Sequence, residues 1–220
     1  MGKHVRGNGN IKTDKRDITS FKNLEVHGGI NVIILQGEIK PIEIKADENL
    51  MEYIEVKQEG DDLIIGEREH FNLDPTDKIE LYVTSPNYHS ISLSGVSNIN
   101  TEKKITGTNE LELNLSGAGD IKMELDFPKV SADLSGVGSM YLNGQTKDVN
   151  IVLTGAGSAH CFDLLSENTT VEVSGVGSAE VFASVKIDAQ VSGVGSVKYK
   201  GNATEVKQNV SGVGSVRKVN

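Results

Sequence analysis

The acids and histidines are the residues of this chain whose types could do chemistry, since a glycoside hydrolase needs two carboxylates about 5 to 10 Å apart. Asp133 and Glu172 occupy equivalent positions of a repeated segment, but they are two repeats apart with Val152 between them. His160 and Glu180 are equivalent in neighbouring repeats, and we interpret them as a solvated surface pair. The other histidines lack metal-ligand spacing: His4, His27, His70 and His89. The pattern predicts no catalytic residue and no metal site.

Pairs of the form Gly-x-Gly recur along the chain, as they do in phosphate-binding loops. Such a loop requires a helix N-terminus after the glycines, whereas here alternating apolar and polar residues follow, as in a strand. The copy Ser116 to Asp120 is similar to calcium-binding nonapeptide repeats, but those need an acidic residue in turn after turn. Only Asp120 is acidic among the equivalent residues. We therefore expect a structural role for these glycines and no cofactor.

Cysteine and serine give no sign of a nucleophile. Cys161 is the only cysteine, so the chain can form no intrachain disulfide and no Cys-x-x-Cys metal site. We expect it to be a small core residue. The serines recur as part of the repeat, and no Ser-His-Asp arrangement can be identified from their positions.

The composition of the 220-residue chain excludes some classes of partner. The formal net charge of -9 and the pI near 5.1 argue against nucleic acid and against anionic lipid surfaces. Only 37% of the residues are hydrophobic, none is Trp, and 24 are Gly, which is typical of a solenoid that buries a thin strip in each rung. No apolar run reaches the length of a membrane span, and the first six residues contain no hydrophobic signal core. The sequence is compatible with a cytoplasmic protein or with a mature exported form.

A repeated Ser-Gly-x-Gly-Ser unit positions all of these residues. Its first glycines recur at a nearly constant interval along the chain. They are Gly95, Gly117, Gly136, Gly155, Gly175, Gly193 and Gly212. Because internal repeats of this kind define the architecture, the unit takes precedence over any local pattern in assigning the fold.

Alignment of the copies on the first glycine predicts which side chains face inward. The residue two before it is always Leu or Val, and the residues four before and four after it are mostly apolar, with polar residues between. This alternation is typical of strands with one buried face. A rung of about 19 residues is too short for a strand plus a crossover helix. We predict an all-β fold, a parallel β-helix (solenoid) of seven Ser-Gly-x-Gly rungs over residues 88–220.

Each position of the corner has an expected role. The first glycine is expected to permit the backbone angles of a tight turn, and the second to let successive corners stack closely. The Val or Ala between them is expected to fill the inside of the bend. The preceding Ser or Thr is expected to form a ladder of hydroxyls along the stack.

The N-terminal part, residues 10–87, is predicted to be β-rich but less regular, after a flexible tail over residues 1–9. Alternation or β-branched runs predict strands near Leu24, Val32, Ile42, Leu63 and Ile79. Residues 47–54 are predicted to form a short helix capped by Asp47. Whether this part is a separate sheet domain or a set of early rungs is left open by the sequence.

These motifs resemble a known bacterial family, the putative auto-transporter adhesin, head GIN domain. The resemblance rests on Gly7-Asn8-Gly9-Asn10, on the Gly29-Ile30-Asn31 triplet, on the repeated unit, and on Tyr199-Lys200-Gly201-Asn202. It covers nearly the whole chain. It implies a single-stranded right-handed β-helix and export to the cell envelope, with frequent occurrence in Bacteroidetes-like bacteria. Family members usually begin with a signal or lipoprotein segment, so the resemblance implies that the native gene encodes an export signal upstream of Lys3.

The function expected from the residues and from the resemblance is a non-catalytic envelope protein, an adhesin or scaffold that presents a rigid solenoid surface, periplasmic or exposed outside the cell. The alternatives are a carbohydrate-active β-helix enzyme or glycan-binding module, and a cytoplasmic assembly scaffold. The expected partner is a surface ligand, a glycan or a protein, and not nucleic acid. A homo-oligomer is compatible with the pattern.

Overall fold

The computed structural model describes residues 2–220, and Met1, the first residue of the predicted tail, lies outside the described residues. The described chain is built of strands, with a single short 3-10 helix at Glu48–Tyr53. The strands of the N-terminal part are β1 (Lys3–Arg6), β2 (Ile11–Arg16), β3 (Asn23–Val26), β4 (Ile30–Gln36), β5 (Ile42–Asp47), β6 (Ile54–Glu59), β7 (Asp62–Glu67), β8 (Phe71–Asp74) and β9 (Ile79–Ser85). The remaining strands are β10 (Ser90–Leu93), β11 (Asn98–Thr101), β12 (Ile105–Thr106), β13 (Glu110–Leu115), β14 (Asp120–Leu134), β15 (Ser139–Leu153), β16 (Ser158–His160), β17 (Leu164–Val173), β18 (Ser178–Phe182), β19 (Lys186–Val191), β20 (Val194–Lys200), β21 (Glu205–Val210) and β22 (Val213–Lys218).

The predicted solenoid is confirmed, with about seven turns at a spacing of about 19 residues. Each rung pairs in parallel with the next, as where Asp120–Leu134 of β14 aligns with Ser139–Leu153 of β15. The strands before the glycine corner form one face of the solenoid, and the strands after the corner form another. We call these the pre-corner face and the post-corner face.

The inward columns read from the sequence form one continuous core. Leu153 is almost fully buried and lies in register between Leu134 and Val173 of the neighbouring rungs. Buried and outward side chains alternate because successive side chains of a strand point to opposite sides of the sheet. The long strand β15 shows it clearly, with Met140 and Leu142 buried on either side of the exposed Tyr141.

The N-terminal part contributes two further levels to the same stack, in an order that differs from chain order. Strand β3 pairs in parallel with β7 on one side and with β10 on the other. On the post-corner face β4 lies in the same way between β9 and β11. The chain therefore forms the second level of the stack first, with β3 and β4. It then forms the outermost level, with β7 and β9, and continues on the other side of β3 and β4 into the Ser-Gly rungs, which begin at β10.

Antiparallel strands cover the N-terminal end of the stack. Strand β5 pairs with β9 and with β2, and β6 pairs with β7. An exposed edge strand offers unpaired backbone groups to other chains. These added strands satisfy the backbone groups of the outermost level.

The prediction of a flexible tail is wrong for residues 3–6, which form β1 and pair in parallel with β8. The side-chain amide of Asn49 holds the end of this strand, since it donates to the carbonyl of Arg6 and accepts from the amide of Asn8. These contacts come from a segment that is distant in sequence, which local composition does not reveal.

Asp47 precedes the short helix as predicted, but its side chain does not cap it. Its fully buried carboxylate instead accepts hydrogen bonds from the amide of Gly9 at 2.7 Å, the amide of Thr76 at 2.9 Å and the hydroxyl of Thr76 at 2.6 Å. The Gly7-Asn8-Gly9-Asn10 motif is thus a turn that closes on Asp47. Gly9 has a φ of 78°, in the left-handed region that favours glycine.

Two expectations about the corner are corrected. None of the seven corner glycines has a positive φ. Glycine is required instead because a Cβ there would collide with the backbone of the rung below. The Val or Ala between the glycines does not fill the bend either, since it is at least partly exposed in every rung. These residues are Val96, Ala118, Val137, Ala156, Val176, Val194 and Val213.

Candidate functional site

Outward aromatic side chains gather on the post-corner face. The chain has only ten Phe and Tyr residues (five of each), and most of them are in the core or in the N-terminal part. The exposed Tyr141 and the partly buried Phe162 and Phe182 instead project outward from neighbouring rungs, beside His160. We call this group of four rings the aromatic face. Exposed aromatic side chains are enriched at interaction sites because they offer a large apolar surface with few rotatable bonds.

Rung register brings Tyr141 and His160 together. They are direct partners in the pairing of β15 with β16, and their rings stack with centroids 4.7 Å apart and planes 11° apart. His160 Nδ1 lies 2.6 Å from Glu180 Oε1 on the next rung. The predicted His160–Glu180 pair is therefore real, and it is half-buried rather than fully solvated.

Lysines border the rings. The Lys122 ammonium lies 6.0 Å from the centroid of Tyr141, and the Lys200 ammonium lies 4.6 Å from the centroid of Phe162. Ammonium groups at such distances are attracted to the negative face of an aromatic ring. The two contacts hold lysines over rings at both ends of the aromatic face.

A concavity of about 350 Å³ lies among these side chains. Its lining combines three rings, two carboxylates, an amide and a cation. The lining residues are Lys122, Tyr141, Leu142, Asn143, His160, Phe162, Asp163 and Glu180. Apolar surface with a few polar groups is the usual composition of a ligand site.

The acids singled out from the sequence do not form a pair. In register, Asp133 lies between Asn114 and Val152, while Glu172 lies between Val152 and Gln190. The two carboxylates are on the pre-corner face, two rungs apart as predicted, and away from the aromatic face.

Cys161 is buried, as predicted for a core residue. Burial raises the pKa of its thiol to about 12, which keeps the sulfur protonated at neutral pH. Among residues 2–220 no group of three or more His, Cys, Asp or Glu side chains is arranged to hold a metal ion. The described chain also contains no helix that is long and apolar enough to cross a membrane.

Sequence reasoning identified the His160–Glu180 pair but missed the roles of Tyr141, Phe182 and Lys200. The signal was present seven residues after the first glycine of each rung. That column reads Glu124, Asn143, Phe162, Phe182 and Lys200 in the second to sixth rungs. Two outward columns, five and seven residues after the glycine, together form the aromatic face and its charged border.

The solenoid and its Gly-Ile-Asn triplet define the class of protein, and comparison with known families agrees. Residues 20–203 match the family described as "Putative auto-transporter adhesin, head GIN domain". The chain belongs to this family. None of the curated proteins matches it.

Solved structures share the architecture over the full chain. A putative adhesin from Bacteroides fragilis has a TM-score of 0.93 at 24% identity, with 98% of this chain and 100% of that chain covered. A putative adhesin from Parabacteroides merdae has a TM-score of 0.79 at 27% identity and covers 100% of both chains. A putative lipid binding protein from Parabacteroides distasonis has a TM-score of 0.81 at 23% identity, with 99% and 100% covered.

Proposed function

We propose that this protein is a non-catalytic component of the bacterial cell envelope that acts in adhesion. The family and the similar structures described as adhesins support this class. The solenoid supplies a rigid support in which each rung is hydrogen-bonded to its neighbours.

The observation that carries the proposal is the aromatic face. Tyr141, Phe162 and Phe182 are large apolar side chains placed outward in a chain that otherwise has few aromatic residues. Their packing in the core would stabilise the fold, so their outward position is better explained by contact with a ligand. The ligand is a glycan or a protein on another surface.

A catalytic role receives less support. The acids that the sequence singles out for a glycoside hydrolase or lyase, Asp133 and Glu172, are separated by Val152 and lie away from the aromatic face. Assays for sugar release from purified polysaccharides check this point. Sustained release that is lost in Asp133→Asn or Glu172→Gln, or in variants of the two carboxylates that line the concavity, Asp163→Asn or Glu180→Gln, would contradict a non-catalytic role.

Binding of the purified protein to an array of glycans and matrix proteins tests the adhesive function. The double variant Tyr141→Ala/Phe182→Ala should lose binding, because it removes two outward rings. The matched control is Leu165→Ala/Val185→Ala, which removes two exposed apolar side chains outside the aromatic face. Equal loss in both variants, or binding that survives in the first, would contradict the assignment.

Fractionation of cells that express the native gene tests the location. We expect the protein in the envelope fraction, either periplasmic or exposed at the surface. A wholly cytoplasmic distribution would contradict the envelope proposal and would favour an internal scaffold.

A further inference from the structure

The C-terminal half of the aromatic face carries a local excess of positive charge in an acidic protein. Lys198 and Arg217 are direct partners in the pairing of β20 with β22, and Lys200 is two residues beyond Lys198 on the same side of its strand. The chain as a whole has a net charge of -9. Two adjacent cations, Lys198 and Arg217, are therefore unusual for this surface, and the Lys200 ammonium extends from the same strand over Phe162.

The carboxylate that could neutralise them is used elsewhere. Glu180 lies in register between His160 and Lys198. Its carboxylate contacts His160 at 2.6 Å rather than Lys198. Within residues 2–220, no carboxylate lies within ion-pair distance of Lys198, Lys200 or Arg217.

The spacing of Lys198 and Arg217 suits a single anionic group. They are register partners on neighbouring strands, which are about 4.8 Å apart. Long, flexible side chains at such a separation can converge on one carboxylate or sulfate. Their mutual repulsion would fall when an anion binds between them.

Aromatic rings adjoin this cationic cluster directly. Lys200 pairs in register with Phe182, and its ammonium lies 4.6 Å from the Phe162 ring centroid. The C–H groups of a pyranose ring pack well against an aromatic surface, and sugar hydroxyls need hydrogen-bond partners. Asn143 and Asp163 line the concavity beside Phe162 and offer such acceptors.

We infer that the aromatic face binds an acidic saccharide, with its carboxylate or sulfate at Lys198 and Arg217 and a sugar ring against Phe182, beside the Lys200 ammonium that lies over Phe162. This inference rests on the proposed adhesive function and names the class of its ligand.

Calorimetry with defined oligosaccharides tests the inference on the full chain. The probes are a hyaluronan hexasaccharide for carboxylates, a heparin hexasaccharide for sulfates and chitohexaose as the neutral sugar. We expect at least one acidic probe to bind at least roughly tenfold more tightly than chitohexaose. Its affinity should fall as salt rises, because exposed charges are screened. A neutral probe that binds as well as both acidic ones would overturn the inference.

Variants divide the contributions of charge and ring. Lys198→Ala/Arg217→Ala should weaken the acidic probe by roughly tenfold or more, whereas the charge-matched Lys147→Ala/Lys186→Ala should not. Phe182→Leu should weaken the saccharide but not inorganic sulfate, which has no ring to pack. Unchanged binding in the first variant, or inorganic sulfate that binds as tightly as the saccharide, would overturn the inference.

Two further outcomes separate this inference from the proposed function. If no saccharide binds but array binding still depends on Tyr141 and Phe182, the saccharide class is wrong and the adhesive face remains. If no saccharide binds and array binding does not depend on Tyr141 and Phe182, both proposals fail. Binding to phosphatidylglycerol vesicles without binding to acidic saccharides would also overturn the inference and would indicate a lipid partner.

Discussion

The carbonyl oxygen of Gly136 occupies the space that a Cβ on Gly155 would need. The same relationship joins Gly117 to Gly136 below and Gly155 to Gly175 above. Glycine is therefore required at the corner by the distance between rungs, and the backbone angles alone would accept another residue.

Gly155→Ala should destabilise the protein by about 1 to 3 kcal/mol, because a methyl group must displace a backbone carbonyl that is itself hydrogen-bonded in the stack. The matched control is Ala156→Val one residue later, which should change stability by no more than about 0.5 kcal/mol. Other rungs carry Val at that exposed position. Urea denaturation followed by circular dichroism measures both. Equal stability of the two variants would contradict the stacking explanation.

Leu153→Ala tests the core, and we expect a loss of about 2 to 5 kcal/mol because the void is enclosed by Leu134 and Val173. His160→Ala, on the outward side, removes a partly exposed ion pair and should cost no more than about 1 kcal/mol. Denaturation must be shown to be reversible, since repeat arrays need not unfold in two states. A larger loss for His160→Ala than for Leu153→Ala would overturn the inward and outward assignment.

The solenoid could be predicted because its information is local and repeated seven times. One inward position, occupied by Leu134, Leu153 and their equivalents, is apolar in every copy, and the short, regular repeat leaves few alternatives. The N-terminal order could not be predicted in this way. The position of β3 between β7 and β10 depends on pairings between segments that are far apart in sequence. No repeated sequence pattern indicates these pairings.

The sequence predicts that the valines between the corner glycines fill the bend, whereas the structure exposes them, and a substitution distinguishes the two. Val176 is 61% exposed, so Val176→Ser should change the free energy of unfolding by no more than about 0.5 kcal/mol. A valine inside the bend would instead lose buried apolar surface on the same change. Val173→Ser, three residues earlier and fully buried, is the matched control and should be strongly destabilising. Similar losses for the two variants would indicate that Val176 is buried inside the bend, as the sequence predicts.

The candidate site could be predicted only in part, for a physical reason. Outward columns are free to vary, so they show no repeated residue type, and only His160 and Glu180 stood out in one of them. The contribution of Lys200 depends on the reach of its side chain across Phe182 towards Phe162. The direction in which Lys200 extends depends on its side-chain conformation, which an alignment of the repeats does not show.

Asp47 gives the N-terminal cap a pH dependence with a definite sign. Burial raises the pKa of this carboxyl, but hydrogen bonds from Thr76 and Gly9 outweigh burial and hold the pKa below its usual value of 3.8. The folded state therefore binds fewer protons than the unfolded state. The stabilisation is fully present well above pH 3.8 and is lost as the pH falls through the lower pKa of the folded state.

Asp47→Asn should accordingly cost about 1.5 to 3 kcal/mol at pH 7, because hydrogen bonds to a charged acceptor are lost. The loss should shrink as the pH falls below about 4. Thermal unfolding at several pH values measures this. Asp77→Asn, at an exposed position elsewhere in the N-terminal part, is the control and should have little effect at pH 7. A cost for Asp47→Asn that stays constant down to pH 2 would contradict the assignment.

The thiol of Cys161 reports on the integrity of the rungs around it. Burial raises its pKa to about 12, and the thiolate is the reactive form, so the native protein should react with a disulfide reagent such as DTNB only after opening. At pH 8 we expect no labelling in the native state and one thiol per chain in denaturant. Ser158→Cys on the preceding strand, half-buried at the surface, is the control and should add one thiol that reacts natively. Leu153→Ala should raise the native labelling rate of Cys161, because the same core supports both residues. Rapid native labelling of the unaltered protein would show that this part of the solenoid opens readily and that Cys161 is not held in a closed core.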